Sequence, residues 1–83
     1  MKHRAVIRNI EQQQTLFDRT FEGNGSLFRA SRMASGIVRA LNEKDDVEYL
    51  SIGEDGRGSA ARIGFAVTIS NPGSDFVGFI YEI

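Results

Sequence analysis

No cysteine occurs in the 83 residues, which removes disulfides and thiolate metal sites together and suits a reducing compartment. Zinc is therefore not expected. Histidine occurs once, as His3, at the start of the first predicted strand, with no serine or cysteine that the sequence can place beside it as a nucleophile. It is expected to be exposed and structural. Proline occurs once, as Pro72, so almost nothing breaks the chain. The start, Met1-Lys2-His3-Arg4-Ala5-Val6-Ile7-Arg8, is charged and then alternates, without the apolar run that a signal peptide or membrane span needs. That reads as a cytoplasmic protein with no membrane partner. Acid pairs such as Asp18 and Glu22 have glycosidase-like chemistry available in principle, but so small a domain offers little cleft to desolvate them. An enzyme is not expected, nor a cofactor.

What is present suffices for an ordered globule. Hydrophobic residues make up 41% of the chain, with six phenylalanines and two tyrosines, which argues against disorder. Residues 1–83 read as one domain burying roughly 60 to 65% of its unfolded surface, a thin core that dimerisation would help. Monomer and homodimer both stay open.

Charge is divided by position. Residues 1–42 carry seven Lys and Arg against three acids, and residues 43–83 three against eight, so +4 and −5 nearly cancel to the net −1. Such separation speaks about partners rather than about fold.

Periodicity supplies the elements. Lys2 to Ile10 alternates, with Ala5 and Ile7 on one side and Arg4, Val6 and Arg8 on the other, a half-buried strand whose exposed side is basic. A polar turn leads to Leu16–Glu22, where Phe17 and Phe21 flank Arg19 at period two, a second strand paired with the first. Gly23-Asn24-Gly25-Ser26 stops it and offers Asn24 or Ser26 as a helix N-cap. From Leu27 to about Asn42, Leu27, Ala30, Met33, Ala34, Ile37, Val38 and Leu41 recur at three and four, one amphipathic helix. Gly36 on its solvent side costs about 1 kcal/mol relative to alanine. Val47 to Ile52 reads as a strand, Gly53 to Ser59 as a charged loop, and Ile63, Phe65, Val67 and Ile69 alternate with Arg62, Gly64, Ala66 and Thr68 as another strand. Asn71-Pro72-Gly73-Ser74 has the order of a type II turn. Phe76 to Ile83 returns, with Val77, Phe79, Tyr81 and Ile83 expected in the core and Gly64 and Gly78 marking a bulge or a close approach. The fold predicted is α+β in the order β-β-α-β-β-β, an antiparallel sheet of four to five strands with one helix packed on one face.

The charged residues then fall into two candidate patches. Arg29, Arg32 and Arg39 share the solvent face of the helix, with Arg4 and Arg8 on the first strand beside them as candidates. All basic residues but Lys2 and Lys44 are arginine, whose forked donors suit phosphates and carboxylates. The stripe reads either as a solvated face with local ion pairs or as a binding patch. Asp45, Asp46, Glu54 and Asp55, with Glu43 and Glu48, form the acidic counterpart, read as a solvated region, a docking face for a basic protein, or an ion site. The last lacks the ligand spacing of an EF-hand loop. Gly53-x-x-Gly56-x-Gly58-Ser59 lacks the lysine of a P-loop. Tyr49, Phe76, Phe79 and Tyr81 raise base stacking on a sheet, against which the last strand's core pattern counts.

One resemblance gathers several of these segments. The strand after Met1-Lys2, Phe17-Asp18-Arg19-Thr20-Phe21, the helix entry Ser26-Leu27-x-x-Ala30-x-Arg32-Met33-Ala34-Ser35 and a hairpin-rich C-terminal half are similar to features of small anti-CRISPR proteins carried by phages and mobile elements. The resemblance covers about 35 residues at the level of pattern and implies a non-enzymatic inhibitor in a host bacterium's cytoplasm. Such an inhibitor binds an RNA-guided surveillance complex and blocks target DNA or nuclease recruitment. Two other readings stand beside it: direct nucleic-acid binding through the helix arginines with Arg4 and Arg8, and a dimerising component that completes its sheet through an edge strand.

Overall fold

Alternating side chains and one stretch of helical period assemble into two layers. The structure, a computed structural model, describes residues 2–51 and 65–83. Its elements are β1 (Lys2–Asn9), β2 (Gln14–Glu22), α1 (Ser26–Asn42), β3 (Glu48–Ser51), β4 (Phe65–Ser70) and β5 (Phe76–Glu82). The strands form one antiparallel sheet in the order β2-β1-β5-β4-β3, and α1 packs on one face of it. This is the α+β arrangement that the sequence predicts. Ile52, the Gly53–Ser59 loop with Glu54 and Asp55, Arg62, Ile63 and Gly64 lie outside the described residues. Among the described residues no helix is long and apolar enough to cross a membrane.

The core lies between helix and sheet: Ala5, Ile7, Phe21, Ala30, Ala34, Val38, Ile69 and Ile80, with Phe17, Ile37, Val47 and Val67 packed against it. Burying each of Ile7, Ile69, Ile80 and Val38 contributes about 1.5–3 kcal/mol. Small residues set the distance between the layers. A Cβ on Gly78 would stand 3.2 Å from Ile7 Cδ1 and 3.4 Å from both Ala34 Cβ and Val38 Cγ2, so its strand position is the close approach expected of it.

That approach fixes the phase of β5 and corrects the expected one. Gly78 and Ile80 are buried toward α1, whereas Val77, Phe79 and Tyr81 are half-buried on the other face and Ile83 is exposed. The helix settles where the sheet is least bulky, which leaves the larger alternates pointing away. Val6, directly opposite Phe79 on that other face, is nonetheless buried, so the second side of β1 is not simply a basic exposed one. In β4, Phe65 pairs with Tyr81 and Val67 with Ile80, a register shift that interrupts the predicted alternation.

The helix entry also differs from the expectation. Gly25, at φ 76°, is the N-cap, with no side-chain cap bond, because the chain must turn through the left-handed region that glycine tolerates. Ser26 is instead buried in the first turn, bonded to His3. His3 is 2% exposed, buried where the sequence suggested an exposed position. On α1, Ser35 is buried, accepting a hydrogen bond from Tyr49 Oη at 2.8 Å, while Leu27, Met33 and Leu41 of the predicted apolar stripe are exposed. Glu43 closes the helix at φ 54°. The hairpin turn is as predicted: Ser74 donates to the Asn71 carbonyl and Gly73 has φ 73°, the positive value that a type II turn requires at its third residue.

Candidate functional site

Strand β2 is an edge of the sheet, and its residues Phe17, Arg19 and Phe21 stand opposite Ile7, Ala5 and His3. They therefore share the face that α1 covers. Phe21 is buried, while Arg19 reaches outward with its guanidinium carbon 4.9 Å from the centre of the Phe21 ring. Above this edge, the first two turns of α1 present Phe28, Arg29, Arg32 and Met33. Together Arg19, Phe21, Phe28, Arg29, Arg32 and Met33 line an open groove of about 470 Å³.

Three arginines thus line one groove, with no carboxylate among the described lining residues. The Arg32 guanidinium lies 5.7 Å from the centre of the Phe28 ring, a cation–π contact. Arg29 donates through Nη2 to the carbonyl of Glu22, which ties the helix to the end of β2. Among the described residues none of these three arginines has an ion-pair partner, and α1 contains no acid at all. Phe28 is 64% exposed and Met33 39%. The groove therefore offers forked cationic donors interleaved with apolar and aromatic surface, which is the chemistry of anion recognition.

The predicted patches are sorted differently in space. Arg29 and Arg32 enter the groove. Arg39 lies on the same side of α1 but in its last turn, about 15 Å along the axis from Arg29. Arg4 and Arg8 sit on the opposite face of the sheet and do not join them. Arg4 is occupied there, donating to Asp18 from Nε at 2.8 Å and from Nη2. This forked bond raises the Arg4 pKa and holds the Asp18 carboxyl below its ordinary value. Arg8 donates to the Gln13 carbonyl at 3.1 Å, and its buried Nε has no partner among the described residues. Asp45 and Asp46 are exposed beyond the end of α1, and Glu54 and Asp55 lie outside the described residues. No group of three or more metal-ligating side chains occurs among the described residues.

Both ion pairs among the described residues, Lys2–Glu22 at 3.6 Å and Arg4–Asp18, fall within the basic half. They neutralise β1 against β2 and leave the helix cations without an ion-pair partner among the described residues. Arg19 is the groove cation absent from the predicted patches, as are the groove's apolar residues Phe21, Phe28 and Met33. Its signal was the period-two run Phe17-x-Arg19-x-Phe21, which puts a cation on the same strand face as two rings.

Comparison with family models, curated proteins and solved structures finds no match to this chain.

Proposed function

We propose that this protein is a small non-enzymatic binding protein that seats an anionic macromolecular surface in the β2–α1 groove and occludes it. The observation that supports this is that Arg19, Arg29 and Arg32 line one groove of about 470 Å³ without a carboxylate among the described lining residues. Cations gathered in this way repel one another until an anion enters, so the site favours a charged occupant over solvent. Arginine, phenylalanine and methionine hold, stack and desolvate. The lining residues include no group that takes or gives a proton near neutral pH. An RNA-guided surveillance complex is the partner to try first, as the resemblance to small anti-CRISPR proteins implies, and its heteroduplex and displaced strand would supply the phosphates.

The test is affinity capture from a lysate of the cells that encode the protein, comparing the native chain with a variant carrying Arg19→Ala, Arg29→Ala and Arg32→Ala. A partner lost in the variant, and released from the native chain by salt, is expected. The same partners on both would remove the groove from the proposal.

A further inference from the structure

Resting on that reading of the groove, we infer that its occupant is a single-stranded nucleic-acid segment, with phosphates on Arg19, Arg29 and Arg32 and a base stacked on Phe28. The inference comes from how the side chains alternate. Arg19 lies over Phe21 and Arg32 over Phe28, so the groove repeats a cation beside a ring. A carboxylate-rich peptide would use the guanidinium forks but has no flat partner for the rings. A nucleotide strand presents both, a phosphate charge and a π-face at each step. Phe28 separates the candidates most sharply. A phenylalanine left 64% exposed next to three cations contributes little to this core, whereas stacking on an aromatic side chain needs only an accessible ring. A duplex keeps its bases stacked inside and offers no ring face to it. The volume of about 470 Å³ lies within the range of small-ligand sites.

The experiment uses the full chain and three labelled probes followed by fluorescence anisotropy: an oligothymidylate of about a dozen residues, a DNA duplex of the same length and a polyglutamate peptide. The oligothymidylate is expected to bind tightest. Its log affinity should fall with log salt at a slope of about −2, three phosphates at roughly 0.7 each for a single strand. Phe28→Ala should weaken it by roughly five- to 150-fold, the loss of one stacked base, and should weaken polyglutamate much less, since that probe loses only the ring under Arg32. Phe28→Tyr should restore it and Phe28→Leu should not. Because Phe28 is outside the core cluster, these variants keep the fold, and matched thermal melts verify that. Arg32→Ala should weaken every anionic probe and reduce the slope by about 0.7.

Polyglutamate bound in an arginine-dependent way, with oligothymidylate no tighter and indifferent to Phe28→Ala, would overturn the nucleic-acid inference and leave the anion-docking groove standing. Tighter binding of the duplex would overturn the single-strand assignment. Oligothymidylate bound equally well by the triple arginine variant would overturn the inference and remove nucleic acid as support for the groove. Absence of binding by any probe at about 50 mM salt would overturn it too, with the capture experiment still deciding the wider proposal.

Discussion

The Nδ1 of His3 lies 2.6 Å from the hydroxyl of Ser26, both residues being 2% exposed. This bond joins the first strand to the first turn of the helix across 23 positions of chain. Ser26→Ala would leave the ring nitrogen buried without its partner, and a buried polar group so orphaned costs about 1–3 kcal/mol. Chemical denaturation should show that loss. In thermal melts each kcal/mol lost lowers Tm by about 4–8 °C for a domain of this size. Unchanged stability would mean that the imidazole finds another partner.

Gly78 supports a second prediction. The atoms its Cβ would meet, on Ile7, Ala34 and Val38, belong to the core itself, so Gly78→Val forces methyl groups into a filled space. Overpacking of this kind costs about 1–3 kcal/mol. A denaturation midpoint equal to the native one would show that helix and sheet can separate freely there.

The far end of the helix is held by asparagines. Asn42 donates through Nδ2 to Asn71 Oδ1 at 2.8 Å and to the Phe76 carbonyl at 3.0 Å, and its Oδ1 accepts the Phe76 N–H at 3.3 Å. Asn71, 2% exposed, in turn donates to the Lys44 carbonyl at 3.3 Å. Asn42→Ala strips partners from a strand start and from a buried amide at once, and should cost about 2 kcal/mol. Amide exchange should then quicken at Phe76. Protection there equal to the native chain would contradict the assignment.

The Arg4–Asp18 pair carries a pH dependence with a definite sign. Hydrogen bonding to Arg4 lowers the Asp18 pKa, so the folded chain takes up this proton less readily than the unfolded one. The stability the pair contributes is present above the ordinary carboxylate value, near 3.9, and is lost as pH falls through the lower folded one. Asp18→Asn should flatten this part of the acid limb while changing stability little at neutral pH, because both side chains lie at the surface, 48% and 40% exposed. Denaturation midpoints followed from about pH 7 to about pH 2 check this. Limbs of equal steepness in the two proteins would assign the acid sensitivity elsewhere.

Elements governed by local spacing were legible in the sequence. The three-four recurrence from Ala30 to Val38, the alternation of β1 and the Asn71–Ser74 turn each depend on neighbours a few residues away. The side of β5 that meets the helix was not, because alternation defines two faces without saying which is covered, and Gly78 decided it by its lack of bulk. His3 was misread for a related reason: its partner lies on another element, and a serine beside glycines looks like a cap whether or not its hydroxyl is used elsewhere. The candidate site was half visible. Arg29 and Arg32 share a helix face by period alone, but Arg19 reaches them only because β2 runs beneath the helix, and Arg4 and Arg8 are carried to the far side of the sheet by the alternation that made their strand recognisable.

The strand order has a consequence for how the sheet closes. Within the sheet, β5 lies between the first and the fourth strands, so it joins the hairpin β1–β2 to the pair β3–β4, which otherwise meet, among the described residues, only through the helix that packs on β1, β2 and β4. Completing the sheet therefore requires β1 to pair with β5 across most of the chain, and such non-local pairing forms slowly.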